Sequence, residues 1–436
     1  MTTPALPEAF TRRIREQLGA EAALFLAAME EPPLRGIRFH PGRALPPEMR
    51  PETDGPVPWE PNGAYLPEES DAGSRIAHAA GAYYIQEPGA MIPANVLDAR
   101  PVERVLDLCS APGGKATRIG QALQGDGLLV CNEPVFKRAR ILSENIEKTG
   151  IPNAVVTCAW PDRLAEKWPE GFDAVMVDAP CSGEGMFRRD PETRTEWSAE
   201  KAEGCAKRQR DILGAAALLV RPGGRLVYST CTYNPAENEE NAAWFLSRFP
   251  EFEPEAFSLP GIDGRNGMFT NFPHRNRGEG QFIAKFRKKG KAASRLPEDR
   301  SLPEPGREES VLFRNAFPFL PGPTRRFGNT LIHLDICPDL NGIQVIRAGL
   351  HLGEVKGKIA VPDHAAAMCF GPEDLPGTEV CAEDALRYLR GEEIRGDANG
   401  WTVVRYGGLP LGWGKAGNGV IKNHYPKGLR TNGLKP

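Results

Sequence analysis

Two cysteines, one aspartate and a glycine-containing turn are the residues of this sequence best suited to chemistry. Asp178-Ala179-Pro180-Cys181-Ser182-Gly183-Glu184-Gly185 follows one apolar run, and Ser229-Thr230-Cys231-Thr232-Tyr233 closes another. A thiolate is a strong nucleophile toward an electron-poor carbon. Carbon 6 of cytosine is such a carbon. Adding a thiolate there makes C5 enamine-like and able to attack a methyl sulfonium. A carboxyl group near N3, the part open to Asp178, would balance the charge that builds on the ring. Two thiols could share the addition at C6 and the later loss of the C5 proton and elimination of the thiol. On position alone, both could equally be core thiols at strand ends.

The turn is Asp107-Leu108-Cys109-Ser110-Ala111-Pro112-Gly113-Gly114-Lys115. Glycines let backbone approach a ligand closely, and the helix N-terminus that follows favours a negative group. A dinucleotide fold would show G-x-G-x-x-G, which is absent. Glu133 lies twenty positions after Gly113, the offset at which such folds grip a ribose diol. A nucleoside cofactor without a pyrophosphate fits both facts. S-adenosylmethionine is the leading candidate, its methionine part lying across residues 109–115.

These residues need a scaffold, and the flanking patterns supply one. Strands are expected over 102–108, 127–133, 154–158, 172–178 and 224–230, with a closing strand near 281–286. Helices are expected over 115–124, 135–149, 199–220 and 236–249. Strands alternating with helices imply a parallel sheet covered on both faces. Ligands then bind beyond the carboxyl ends of the strands, which gathers Cys181, Cys231, Asp178 and the turn at one edge. Upstream, residues 4–30 read as a helix with Leu6, Phe10, Ile14, Leu18, Leu24 and Phe25 on one stripe. Eight prolines between 41 and 68 exclude a long helix or a central strand there and suggest an ordered extension that wraps a neighbour. Residues 287–312 have a linker composition. Short strands, glycine-rich turns and a helix near 380–391 follow.

The segments LDLCSAPGGK, DAPCSGEGMFRRD and STCTYNPAENE resemble, in order and spacing, the signature blocks of the Sun-type RNA cytosine-5 methyltransferases. The resemblance is strong over residues 80–290. GAYYIQEPGAM (81–91) resembles the segment leading into that family's catalytic domain. GLPLGWGKAGNGVIKNHYPKGLR (408–430) is similar to the PUA-like RNA-binding module that ends its longer bacterial members, which act on 16S ribosomal RNA. The resemblance implies a Rossmann-like methyltransferase domain with a mostly parallel, seven-stranded sheet. It implies Cys231 as the nucleophile on C6, Cys181 as the residue assisting release, and Asp178 at the cytosine edge. Cys109, Ser110, Ala111, Pro112, Gly113, Gly114, Lys115, Glu133, Arg138 and Asp178 would hold S-adenosylmethionine. DNA cytosine-5 methyltransferases use the cysteine of a Pro-Cys pair instead, which would make Cys181 the nucleophile. The block set as a whole favours Cys231. Two departures stand out. Gly36-Ile37-Arg38-Phe39-His40 lacks an asparagine that the family often has there. Trp160-Pro161 disturb the match beside Asp162, which would either contact adenine or cap a helix.

The expected organisation is an N-terminal RNA-binding extension (1–97), the methyltransferase domain (98–290), a linker (291–310) and a C-terminal RNA-binding region with the PUA-like module (311–436). The 436 residues, 25% charged and 40% hydrophobic, exclude a wholly disordered, collagenous or coiled-coil chain. Nine cysteines without a C-x-x-C argue for reduced thiols and against a zinc ribbon or disulfide scaffold. No apolar run reaches the roughly 20 residues of a membrane span. A cytoplasmic, metal-free monomer is expected. The net charge of −3 alone disfavours nucleic acid, yet it is unevenly placed. Residues 401–436 carry +6 and no acid, whereas 367–400 carry −5. Trp413, His424 and Tyr425 interleave with the tail cations, a pattern suited to phosphate contact and base stacking. Lys285, Arg287, Lys288, Lys289 and Lys291 form a second cluster, and Arg188 and Arg189 stand near the target base. A target cytosine must be unpaired or flipped to meet both a thiol and the methyl donor. The rivals are a transfer-RNA cytosine-5 methyltransferase and a non-catalytic ribosome assembly factor that kept the fold.

Overall fold

The computed structural model describes residues 4–298 and 302–436; positions 299–301 of the expected linker lie outside the described residues. The central sheet has nine strands: β1 Arg104–Asp107, β2 Leu128–Asn132, β3 Ala154–Cys158, β4 Phe172–Asp178, β5 Val220–Thr230, β6 Phe252–Pro254, β7 Met268–Asn271, β8 Gln281–Lys288 and β9 Gln344–Ala348. Their order is β7-β8-β5-β4-β1-β2-β3-β9, with β6 paired to β8. Strands β1 to β5 are mutually parallel. The others join antiparallel. The sheet is therefore mixed and mostly parallel: seven strands of the 98–290 domain run edge to edge, as expected, and the short β6 and the C-terminal β9 bring the sheet to nine. The free edge of β3 is covered by β9, which comes from the C-terminal region. An unpaired edge in an otherwise buried sheet invites such a strand.

The parallel strands are apolar on both faces, so their residues alternate between two cores. Leu106, Val130, Val155, Val175 and Leu226 face one side. Val105, Leu129, Val156, Ala174 and Val227 face the other, against helices α3 Gly114–Leu123 and α4 Phe136–Thr149. The first side is covered largely by α5 Pro161–Lys167 and α6 Ala199–Leu219.

The N-terminal segment departs from its expected form. It is two helices, α1 Glu8–Leu18 and α2 Ala22–Ala28, joined by a 3-10 turn at Gly19–Glu21. Gly19 at φ 53 ends the first helix. The break re-aims the apolar face, so Phe10, Ile14 and Phe25 are buried while Leu24 points to solvent at 65% exposure. These rings pack on Phe187, Tyr233 and Phe272, the loops that carry both thiols and the end of the sheet. The proline-rich stretch indeed wraps a neighbour. Leu45 and Met49 share a core with Tyr388, Leu389 and Ile421 of the C-terminal region. That region opens with a helix at Arg307–Ala316, whose first turn lies in the expected linker, then has a four-stranded and a five-stranded sheet. Among the described residues no helix is long and apolar enough to cross a membrane.

Candidate active site

The carboxyl ends of β1, β2, β4 and β5 open into one cleft of about 900 Å³. The turn after β1 forms its floor. Gly113 sits at φ 115, a conformation that only glycine adopts without strain, and a side chain there would press on Leu142. Asn145 of α4 anchors the turn by donating to the Pro112 carbonyl at 2.8 Å. Arg38 is buried under the start of α3. Its guanidinium donates to the Gly114 carbonyl at 2.9 Å, to Thr117 Oγ1 at 2.7 Å and to Gln86 Oε1. The stretch lacking the expected asparagine thus still braces the turn.

Cys109, Ala111, Glu133, Arg138, Asp178, Cys181 and Cys231 all line the cleft. Ser110, Pro112, Gly113 and Gly114 shape the turn beneath it. Glu133 is 2% exposed; one oxygen accepts the Val135 N–H at 3.0 Å and the other meets Arg138 at 3.1 Å. Arg138 also donates to the Ala111 carbonyl at 3.1 Å, tying the turn to the acid. Asp162 lines the cleft as well. It is not a cap: Trp160 holds the N-cap of α5 without any side-chain cap bond, and Pro161 opens the helix. Trp160, at 69% exposure, stands on the cleft wall.

At the other end of the cleft, Cys181 Sγ and Cys231 Sγ are 3.0 Å apart. The Cys231 backbone N–H also donates to Cys181 Sγ, at 3.3 Å. The hydrogen bond between the two thiols, in which either sulfur could donate, and then burial push the Cys181 thiol well up. Asp178 accepts from Lys115 Nζ at 2.7 Å and from Ser229 Oγ at 2.7 Å. Burial alone would lower the Lys115 ammonium, but Asp178 outweighs it and the net shift is upward, with Asp107 and Cys231 adding to it. Burial pushes the Cys109 thiol up as well, which leaves it neutral and unreactive.

Buried carboxylates hold the two thiol loops. Glu237 accepts the Ser182 N–H at 2.9 Å and its hydroxyl at 2.5 Å. Glu184 accepts the Tyr233 N–H at 3.1 Å and pairs with Arg13 of the first helix at 2.7 Å. Gly185 has no room for a side chain, since a Cβ would sit 2.9 Å from the Cys231 carbonyl. Asp107 was quoted in the sequence motif but given no role. It is fully buried, one oxygen accepts from Ser110 at 2.9 Å, and Oδ1 has no partner among the described residues. Burial raises its pKa to about 7. An unsatisfied buried carboxylate under the turn, with Glu133 beyond it, fits a ligand that carries both an ammonium group and a ribose.

Several cations expected at RNA are spent on structure. Arg188 is buried against Glu279 at 2.7 Å and donates to the Ala28 carbonyl. Lys285 and Arg287 pair with Glu255, and Lys288 with Glu170. Arg405 is buried on the Leu375 carbonyl. Trp413 and Tyr425 are core residues at 1% and 6% exposure, so neither is a stacking surface. Arg189 is exposed. Trp401, unremarked in the sequence, contacts the exposed His424 at 4.5 Å, and Lys415 lies over its ring at 5.6 Å.

Comparison with known proteins agrees with this geometry. Residues 94–287 match the model described as 16S rRNA methyltransferase RsmB/F. Residues 6–88 match the N-terminal domain of 16S rRNA methyltransferase RsmF, residues 311–370 its first C-terminal domain, and residues 377–431 its PUA domain. The chain is 33% identical to Ribosomal RNA small subunit methyltransferase F of Cronobacter sakazakii, over 98% of this chain and 97% of that protein. It is 30% identical to the protein of that name from Escherichia coli, over 99% and 98%. A solved methyltransferase homolog from Pyrococcus horikoshii superposes with a TM-score of 0.57, at 26% identity, over 65% of this chain and 95% of that one. The NSun6 structure from the same organism superposes at 0.58 with 21% identity, over 66% and 100%, and shares the fold. From its N-terminal helices to its PUA domain, the chain belongs to the family of small-subunit ribosomal RNA methyltransferase F.

Proposed function

We propose that this protein transfers a methyl group from S-adenosylmethionine to C5 of a specific cytosine in 16S ribosomal RNA, through a covalent adduct between Cys231 and C6. The observation that carries the reading is the pair of thiols 3.0 Å apart, with Asp178 and Lys115 beside them at the mouth of the cleft. When bound, S-adenosylmethionine supplies the methyl group as an electrophile; residues 109–115, Glu133, Arg138 and Asp178 would hold it, with Trp160 and Asp162 facing its adenine.

Cys231 adds to C6 as the thiolate and pushes electron density onto C5. Asp178 accepts from the N4 amino group at the cytosine edge, and the Lys115 ammonium that it holds at 2.7 Å offsets the negative charge that builds on the ring. Cys181 remains a thiol while Cys231 attacks, so one sulfur is nucleophile and its neighbour a proton carrier. After transfer a base must take the C5 proton, and Cys231 then leaves as thiolate. Cys181 is the group nearest to Cys231 for assisting that elimination. The C-terminal region, with Trp401, His424 and Lys415, is the RNA-binding surface. The rRNA substrate is taken from the relatives' names and from the PUA domain.

The test is tritium transfer from labelled S-adenosylmethionine into small-subunit RNA, with bisulfite sequencing of RNA from a deletion strain to locate the base. Incorporation at one or a few 16S cytosines supports the reading. Label only in transfer RNA, or none in any cytosine-containing RNA, overturns it.

A further inference from the structure

A second cavity, of about 420 Å³, opens on the far side of Cys181. It is lined by Cys181, Ser182, Trp197, Lys201, Gly204 and Arg208, with Glu196 on one wall. Cys181 and Arg208 line this cavity and the cofactor cleft alike. The two are thus separated by one thiol and one guanidinium. The volume lies at the lower end of the roughly 300–1,000 Å³ found for small-molecule sites.

The chemistry of the lining is that of a nucleotide site. Arg208 is exposed on α6 and takes part in no ion pair or hydrogen bond among the described residues. Lys201, two turns earlier on the same face, is exposed too, and its ammonium rests on the Glu196 carbonyl. A free guanidinium on the rim is suited to a phosphate. Trp197 is held edge-on by Phe10 and Phe187 at 6.2 and 6.5 Å. Its indole Nε1 is buried without an acceptor among the described residues, so what Trp197 offers the cavity is its ring, the kind of surface on which a nucleobase stacks. Gly204 leaves the floor open, since a side chain there would meet nothing within 4 Å.

We propose that this cavity is the subsite for the nucleotide adjacent to the target cytosine, with Trp197 against its base and Arg208 on the phosphate that joins the two. The proposal rests on the RNA methyltransferase reading above. A cytosine flipped into the cleft must carry its flanking phosphate across the rim at Cys181 and Arg208. The second cavity is where the next base then arrives. Occupying it fixes the register of the strand over the two thiols, so the subsite contributes to the choice of target.

The test fills the cavity without touching the thiols. Gly204→Phe projects into the open space and leaves the cofactor cleft unaltered. With 16S transcript as substrate, KM for RNA should rise at least about tenfold, as expected for losing a base–aromatic contact. S-adenosylmethionine binding and thermal midpoint should stay unchanged. Lys201→Ala should lower the slope of log affinity against log salt by about one, and Arg208→Lys should recover part of what Arg208→Ala loses. Short RNAs with an abasic residue on either side of the target give the sharper readout. At one side the abasic substitution should abolish the difference between wild type and Gly204→Phe. An unchanged KM in Gly204→Phe, with wild type active, overturns the subsite alone. Wild type inactive on all RNA overturns the reading on which it rests. Should Gly204→Phe not fold, the Arg208 and Lys201 variants decide: full activity and an unchanged salt slope in both refute the proposal.

Discussion

Asp107→Asn isolates one buried charge under the cofactor turn. Asp107 is fully buried, and burial lifts its pKa from the usual 3.8 to about 7. Between those values the folded chain keeps a proton that the unfolded chain has released, so the stability contribution is complete below pH 3.8 and is lost as pH rises to 7. At 1.36 kcal/mol per unit, the total is about 4 kcal/mol. The asparagine variant has no charge to bury and lacks this slope. Any fixed cost of the amide is constant with pH and drops out of the comparison. Urea unfolding of both proteins at pH 5, 6, 7 and 8 should therefore show the variant gaining on wild type by about 3 kcal/mol between pH 5 and 7, then levelling. The same carboxyl makes the cleft more negative as it ionises. Affinity for S-adenosylmethionine, which carries cationic groups, should rise with pH to about 7 in wild type and stay flat in the variant. A pH-independent stability difference, or a slope of the opposite sign, would refute the argument that burial rather than pairing governs this carboxyl.

Other consequences follow from the same geometry. Glu184→Ala leaves Arg13 and the buried Tyr233 N–H without their acceptor; breaking such a pair should cost about 3–5 kcal/mol in urea unfolding. Trp160→Ala should weaken S-adenosylmethionine binding by about two- to tenfold in calorimetry, the worth of one aromatic contact, and leave stability within about 0.5 kcal/mol because the ring is exposed. Trp413→Ala removes a core ring and should cost about 3–5 kcal/mol. Trp401→Ala, at a half-buried ring at the edge of the same core, should cost less stability than Trp413→Ala and also reduce RNA affinity in a filter-binding assay. An unchanged RNA affinity in Trp401→Ala would contradict its place on the RNA-binding surface.

The site was more legible than the surface around it. β1, β2, β4 and β5 each carry an apolar run that ends in polar residues, and one rule about strand ends places Asp107, Asp178 and Cys231 together. Glu133 was found by its offset from Gly113 because β1, α3 and β2 have the length that such units usually have. Trp160 was set aside as an interruption, yet Pro161 is a good first helical residue and leaves the preceding ring at the cleft. Charge was harder to read. Lys285, Arg287 and Lys288 look like a basic patch in sequence, but on β8 they meet Glu255 and Glu170 brought from other elements. Only tertiary pairing separates a spent cation from a free one. Trp401 and Trp413 share one face of their sheet, since Trp401 pairs with Lys415 and Val403 with Trp413, and the sequence does not show that the core covers Trp413 fully and Trp401 only in part. β9 was missed because its partner edge on β3 lies almost two hundred residues upstream, and no local pattern records such a pairing. The break at Gly19 turns the helix by which the N-terminal segment clamps the Cys231 loop, a contact that periodicity alone could not reveal.

The account stands most directly on which sulfur attacks. 16S transcript containing 5-fluorocytosine should trap a covalent complex with wild type, because C5 fluorine cannot leave as the proton does. The complex, read as a shifted band on denaturing gels, should vanish in Cys231→Ala and persist in Cys181→Ala. Cys181→Ala should also accumulate a covalent complex with ordinary RNA, since release is slowed. If Cys181→Ala abolishes the adduct and Cys231→Ala keeps it, the roles given to the two thiols are reversed and the central claim is contradicted.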